Sequence, residues 1–541
     1  MKLVNVNTKY LTINGKRVQV EDRGDGKLRL WLQEYNPQLQ GELKESGGKY
    51  EKPTWVCKRS PRLGFLLDLL SGGKLSGIST LYSNQNSTEY ATGRDLWEHQ
   101  KRALQFKVQR RRCIDAGEMG VGKTLSTMVA IEILRQQWNG IGTLWWVAPN
   151  SALISFRTQA RKFKFQLTSG DKLFNYHSLE QQMISAKEPP RFVVFDESSN
   201  LKNASARRTQ LAIALTEEME KRWGNECTVY LLSGTPAPQN PFDWWAQCEV
   251  CRPGWLKEST IYKFQRRLAN WTSAEKLDGS TYPVLDSWKS AEIELLPKRL
   301  EGLVLVTWKK DCLDLPEKVY EEIQLETSSS TLRVARAITR SGLPAAQVQS
   351  RLRQLSDGFQ YTETNDAQIG ATPKDQAVKD LLEEHQEIGR IVIYAAFTAS
   401  VDRVVELCRK NDWAVWRLDG RGSLGMDCAG SEEEFQDTKK DHDSLGRVKP
   451  IAFVGNPEAG SMGLTLTPSP IVVFYSNSFK SQFRIQAEDR IHRPGASKER
   501  GCRIIDLIHL PTDLLVLNRL KEKRDVEFNT LEEIEQCLAV V

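Results

Sequence analysis

Eight consecutive residues carry the clearest chemistry in this chain. Gly117, Glu118, Met119, Gly120, Val121, Gly122, Lys123 and Thr124 spell G-x-x-x-x-G-K-[ST]. Glycines at those positions let a backbone wrap a phosphate with its N–H groups, and the helix that follows adds the positive end of its dipole. Lys123 is placed to reach the β- and γ-phosphates, and the Thr124 hydroxyl to ligate Mg²⁺. Such a site also needs carboxylates. Val193-Val194-Phe195-Asp196-Glu197 supplies a pair at the end of an apolar run. There Asp196 is expected to hold Mg²⁺ through water and Glu197 to polarise the attacking water. Taken alone, an acidic pair after a strand is more often a solvated strand end or a cap; the phosphate loop tips the reading to catalysis. Upstream, Gln100 offers an amide that can donate to and accept from an adenine edge at once. The cofactors implied are ATP and Mg²⁺.

These residues need a scaffold of strands ending in loops. TLWWVAP (143–149), RFVVFDE (191–197) and VYLLSGTP (229–236) are short apolar runs that end in small or charged residues. Buried parallel strands read this way, and open α/β sheets bind ligands beyond their strand ends. A second series runs RIVIYAAF (390–397), AVWRLDG (414–420), IAFVGN (451–456), IVVFYSN (471–477) and RIIDLIHL (503–510). Between them, 241–374 shows no regular strand series. Residues 1–90 alternate polar and apolar in short runs, with a helical-looking LGFLLDLL (63–70) and a Gly/Ser/Asn-rich linker at 71–89. The fold class expected is α/β, with two parallel-sheet lobes and a small N-terminal α+β module.

Composition sets bounds but names no function. At 541 residues the chain calls for three or four domains, and 40% hydrophobic with 27% charged residues describes a globular protein. No run approaches the roughly 18 apolar residues of a membrane helix, so no membrane partner is expected. The start, MKLVNVNTKY, lacks the apolar stretch of a signal peptide. The compartment expected is the cytoplasm, or the host cytoplasm for a viral protein. Ten cysteines are scattered; Cys248 and Cys251 form a single C-x2-C without a second pair, and are read as core residues rather than zinc ligands. A formal charge of +6 permits local nucleic-acid contacts without arguing for them.

HQKRAL, AGEMGVGKT, WWVAPNSAL, FDESSNLKN and LLSGTPAPQNP resemble the first lobe of superfamily-two helicases, specifically Swi/Snf-type translocases. LDLPEK (313–318), VGNPEAGSMGLTLT (454–467) and QAEDRIHRPG (486–495) resemble the signature before the second lobe, its coupling motif and its arginine-finger helix. The resemblance covers about 95–520 and implies two RecA-like lobes with helical insertions, ATP between them and DNA across both. It implies lobe one at 91–310 with a helical insertion near 241–310, a connector at 311–374, and lobe two at 375–541. Nucleotide contacts fall on Gln100, Gly117 to Thr124, Leu125 and Gly463. Gln486, Arg490 and Arg493 are spaced i, i+4, i+7, so one helix would present all three to the γ-phosphate. DNA contacts fall on Asn150, Ser151, Lys202, Asn203, Thr465 and Thr467.

Departures from the family pattern are specific. Ser199 stands where a His is usual, a residue that normally touches the Ser-rich motif. Phe156 stands where a Trp is common, and a Glu common just beyond it is absent. Pro494 and Ala496 replace an aliphatic residue and a Gln, and the proline disfavours helix at Arg493. Compact members of this kind are common in bacteriophages and bacteria. Residues 47–70 resemble the small DNA-structure-recognising module that precedes the motor in annealing-helicase relatives; a plain packing domain is the alternative. The activity implied is DNA-dependent ATP hydrolysis driving a monomeric translocase on double-stranded or forked DNA. A strand-separating DNA or RNA helicase and an ATP-switched annealing clamp stay open beside it.

Overall fold

Alternation within the apolar runs decides how the main sheets are built. The computed structural model describes residues 95–523 apart from 141, 239, 276–279, 362–365, 369, 371, 426–431, 438–448 and 461–463. Within 1–94 it describes 9–13, 16–22, 27–34, 39–40, 43–44, 48–58 and 67. The chain divides into two compact units, Met1–Trp308 and Lys309–Val526.

The first unit opens with five antiparallel strands, β1 (Lys9–Ile13), β2 (Lys16–Asp22), β3 (Lys27–Leu32), β4 (Lys49–Glu51) and β5 (Thr54–Lys58), ordered β1-β2-β3-β5-β4. Val18, Val20, Leu28 and Leu30 alternate inward to a small core of their own. The expected helix at 63–70 lies outside the described residues save for the buried Leu67, and so does the linker at 71–89.

The main sheet contains β6 (Arg112–Asp115), β7 (Leu144–Val147), β8 (Lys172–Phe174), β9 (Phe192–Asp196) and β10 (Thr228–Leu232). A hairpin of β11 (Ala269–Glu275) and β12 (Thr281–Trp288) follows, and then β13 (Val304–Leu305) returns to the sheet. Its order is β13-β6-β10-β9-β7-β8, every pairing parallel. Ile114, Val147, Val193, Phe195, Val229 and Leu231 face one core; Cys113, Trp146, Phe192, Val194, Tyr230 and Leu232 face the other. Both faces are covered, which is why these strands read as continuous apolar runs. The segment 241–310 holds helices such as Asp243–Cys251 and Ile261–Leu268, but the hairpin makes it less purely helical than expected. Cys248 and Cys251 are buried on the first of these helices, and burial pushes the Cys251 thiol up to about 12.

The second unit adds β14 (Lys318–Gln324), the short pair β15 (Phe359–Tyr361) and β16 (Asp366–Gln368), β17 (Arg390–Tyr394), β18 (Ala414–Asp419), β19 (Gly422–Gly425), β20 (Ile451–Gly455), β21 (Ile471–Phe474) and β22 (Cys502–Ile508). The sheet runs β14-β22-β21-β17-β20-β18-β19, parallel except for the β18–β19 edge. All five runs of the expected second series are strands. β14 is a correction, because 241–374 was read as having no regular strand series. As a sheet edge it keeps Val319, Tyr320, Glu322 and Gln324 exposed, so KVYEEIQ lacks the apolar continuity of its neighbours. The expected α/β fold with two largely parallel sheets is thus present.

Candidate functional site

The glycine loop 117–124, read from sequence as a phosphate loop, leaves β6, which lies between β13 and β10, and runs into the helix Lys123–Gln137. Gly120 and Gly122 both have φ near +88°, a left-handed conformation that favours glycine. At Gly122 a Cβ would stand 2.2 Å from the Gln100 amide nitrogen, so a side chain there would displace that amide as well as strain the backbone. Neighbours hold the loop in shape. Glu118 N–H donates to the Thr307 carbonyl at 2.9 Å. His99 Nε2 lies 2.8 Å from the Val121 carbonyl, and Gln100 Nε2 donates to that same oxygen at 3.4 Å. Gln100 Oε1 also accepts the Trp97 N–H at 3.1 Å, so both ends of this amide brace the helix start and the loop in this conformation. Its proposed adenine contact needs those bonds exchanged. Lys123 Nζ donates to the carbonyls of Gly117 (2.6 Å) and Glu118 (3.0 Å). Burial lowers its proton affinity, opposed by the charges of Asp115, Glu197 and Asp196.

Asp196 ends β9 and Glu197 follows it, the strand being separated from β6 by β10 alone. Burial, with Glu197 beside it, raises the Asp196 carboxyl to about 7, while Lys123 pulls it down. Lys123 and the acidic pair therefore share one electrostatic neighbourhood. Glu197 has φ +53°, a conformation costing a non-glycine residue about 1–3 kcal/mol and concentrated at functional sites. Its N–H donates to Asp196 Oδ1 at 3.0 Å, and the Asp196 carbonyl accepts from Tyr176 Oη at 2.8 Å. Oxygen donors at Thr124 and Asp196 suit Mg²⁺, which takes few protein ligands and completes its shell with phosphate and water. The glycine-lined cradle and the lysine at a helix N-terminus suit a triphosphate.

In the second unit the arginine segment departs from expectation. The helix Ser481–Glu488 stops before Arg490, so Gln486, Arg490 and Arg493 do not share one helical face. The cause is a clamp. Asp489 Oδ1 lies 2.9 Å from both Lys309 Nζ and Lys318 Nζ. Lys309 also donates to the His492 carbonyl at 3.1 Å, and His492 Nε2 sits 2.8 Å from the Pro316 carbonyl. These bonds draw 489–492 onto the LDLPEK strand approach instead of a further helical turn. Arg490 and Arg493 nevertheless converge: each donates through Nη1 to the Leu464 carbonyl at 3.1 Å. Gln486 is buried near them, while Gly463 lies outside the described residues. Burial pushes the Asp489 carboxyl up, but the two lysines outweigh it and hold it well below the usual range. Its stabilising contribution is therefore present above the ordinary carboxylate pKa and lost as pH falls through the depressed value. Asp489→Asn is expected to destabilise the second unit by about 3–5 kcal/mol, because buried Lys309 loses the Asp489 carboxylate and Lys318 keeps only Glu488, at 3.3 Å. Chemical denaturation would show it, and an unchanged midpoint would remove the clamp.

No family model matches the chain. Individual proteins do. It is 25% identical over 429 residues to "SWI/SNF-related matrix-associated actin-dependent regulator of chromatin subfamily A-like protein 1" of Xenopus tropicalis, covering 74% of this chain and 41% of that protein. The chain is a relative of the SWI/SNF-related ATPases. It is also 23% identical over 456 residues to the "ISWI chromatin-remodeling complex ATPase ISW1" of Saccharomyces cerevisiae, covering 75% of this chain and 37% of that one. An uncharacterised ATP-dependent helicase of Mycoplasma genitalium shares 22% over 406 residues, 71% of this chain and 37% of its own. The chain thus spans about two fifths of the length of these relatives. The Sulfolobus solfataricus SWI2/SNF2 ATPase core in complex with dsDNA aligns over 83% of this chain and 97% of its own, at 19% identity and a TM-score of 0.36, too loose to argue from.

The SWI/SNF-like motifs expected to touch DNA occupy loops after parallel strands. Asn150 is exposed at the start of the helix Asn150–Lys162, its Oδ1 accepting from Asn175 Nδ2 at 2.9 Å; the Ser151 side chain lies outside the described residues. Lys202 is half-buried and Asn203 exposed, its Oδ1 accepting the Ser205 N–H and hydroxyl at 3.0 and 2.8 Å. Thr465 is half-buried, whereas Thr467 is 8% exposed and would need movement to meet a phosphate.

At the Ser199 departure the structure supplies another link. Buried Gln247 accepts from Ser198 Oγ (2.9 Å) and donates to the Pro236 carbonyl (2.5 Å), joining the Asp196–Glu197 loop to the SGTP loop. Gln247, His99 and the clamp lysines were given no role in the sequence reading, although His99 and Lys318 lie within HQKRAL and LDLPEK. Each works across a gap in sequence that no local pattern reveals.

Proposed function

We propose that this protein is an ATP-dependent translocase on double-stranded DNA, remodelling DNA or protein–DNA complexes during replication, recombination or repair. One observation carries the reading: Lys123 at the glycine loop shares its electrostatic neighbourhood with Asp196 and Glu197, across a single strand of one sheet. That is the arrangement a phosphoryl-transfer site requires. Mg²⁺, when bound, neutralises charge developing on the phosphates. Loop N–H groups and Lys123 hold the β- and γ-phosphates, Thr124 and Asp196 offer the metal oxygen ligands, and Glu197 orients and polarises the attacking water. Arg490, Arg493 and Gln486 are the second-unit residues that this reading assigns to the γ-phosphate. The loops at 150–151, 202–203 and 465–467 contact DNA phosphates, so affinity depends weakly on sequence and falls with salt. The protein acts as a monomer in the cytoplasm, or the host cytoplasm if its source is a bacteriophage. Among the described residues no helix is long and apolar enough to cross a membrane.

ATPase rates compared across duplex, single-stranded and forked DNA and RNA test the substrate class. Triplex displacement without separation of a tailed duplex supports translocation. Strand separation would favour a helicase, and ATP-dependent binding without displacement a clamp. Glu197→Gln is expected to keep nucleotide binding and slow hydrolysis by about 10²–10⁴-fold. Lost binding of a fluorescent ATP analogue in that variant would assign Glu197 a structural role instead.

A further inference from the structure

We infer that Lys107 and Asp115 are positioning residues for the phosphate loop, a buried ion pair that ties the loop's beginning to its end. The inference rests on the reading of 117–124 as a nucleotide site.

Lys107 sits on the last turn of the helix Glu98–Arg110 and is fully buried; Asp115 is the last residue of β6 and 2% exposed. Their charged groups meet at 2.5 Å. Taking both charges out of water is costly, and an apolar pair of similar shape would fill the space as well or better. Packing therefore does not explain the pair. Its other bonds do. Asp115 Oδ1 accepts the Gly117 N–H at 3.0 Å, at the loop's first residue. Lys107 Nζ donates to Ser126 Oγ at 2.7 Å and approaches the Lys123 carbonyl at 3.4 Å, both in the first turn of the helix that closes the loop. One ion pair thus spans from Gly117 to Ser126 beneath the loop. Its own backbone is held: Tyr230 Oη donates to the Lys107 carbonyl at 2.8 Å, and Ser233 N–H donates to the Asp115 carbonyl at 3.1 Å.

The pair also bears on Lys123. After burial, which lowers the proton affinity of Lys123, Asp115 is the largest charge opposing that effect, and Lys107 works the other way. A preorganised loop spends less of its binding free energy on ordering, so the pair's signature is nucleotide affinity rather than folding alone.

The test is affinity for a fluorescent ATP analogue with Mg²⁺, without DNA, on the full chain. Lys107→Met combined with Asp115→Asn removes both charges while leaving neither unpaired. The expected result is a near-unchanged melting temperature with about tenfold weaker nucleotide binding, the loss expected when a charge-assisted hydrogen bond is removed. Ser126→Ala removes the hydroxyl acceptor for Lys107, together with that hydroxyl's own bond to the Lys123 carbonyl at 3.0 Å, and about threefold weaker binding is expected of it. Should the double variant not fold, Ser126→Ala decides alone. Nucleotide affinity within experimental error of wild type, in a folded double variant or in Ser126→Ala, overturns the positioning role. If the unaltered protein itself binds no nucleotide, the site reading fails as well, so the two failures are distinct.

Discussion

Lys123→Ala is expected to reduce DNA-stimulated ATP turnover by on the order of 10³-fold or more. The ammonium lies on the carbonyls of Gly117 and Glu118, and Asp196 and Glu197 are close enough to affect its protonation. Without it, an incoming triphosphate would meet two carboxylates with no fixed cation from the loop. Because Lys123 bonds only neutral carbonyls at the loop, alanine leaves no unpaired partner charge there, and folding should survive. ATP turnover at saturating duplex, with a melting curve as control, checks this. Robust DNA-stimulated hydrolysis by the folded variant would sink the phosphate-loop assignment.

Arg490→Ala should lower turnover by about 10³–10⁵-fold, the range for an arginine supplied to a phosphoryl-transfer site, with DNA affinity changed far less. Arg490 is 2% exposed and shares the Leu464 carbonyl with half-buried Arg493, so the two guanidinium groups approach a common point although no helix aligns them. Their exposure separates them. Arg493 lies next to Pro494, beyond the clamp at Asp489, and has more room to turn away. ATPase rate and a DNA-binding curve are to be measured for each alanine variant, with melting temperature to exclude collapse of the segment. A severe Arg490→Ala beside a harmless Arg493→Ala would mean that the turn has removed Arg493 from the site. Equal loss of DNA affinity and turnover in Arg490→Ala would assign that residue to DNA or to packing.

The helix at 481–488 shows where sequence reasoning runs out. Gln486, Arg490 and Arg493 have helical spacing, and Pro494 alone marks a boundary. The earlier stop follows from Lys309 and Lys318, whose attraction for Asp489 comes from 180 and 171 positions away in the chain. In sequence each of these charges looks like solvated surface. Gln100 teaches the same point from the other direction. Its spacing from the loop is legible and its bond to the Trp97 N–H is local to the helix start, yet its bond to Val121 exists only because the helix Glu98–Arg110 packs against the loop.

By itself the sequence determined what contiguous residues can encode. It specified an eight-residue glycine loop of the phosphate-binding pattern, an acidic pair ending an apolar run, and two sets of runs continuous enough for strands buried on both faces. Those are local signals, because a strand's periodicity and a loop's glycines act within a few residues. Only the tertiary structure decided which charges lose their water and which partner each then takes. Lys107 became a brace for the loop, Asp489 the anchor of a turn, and Gln247 a bridge between two motifs through contacts between distant segments. Burial makes those choices consequential, since an unpaired polar group or charge costs far more inside a protein than at its surface.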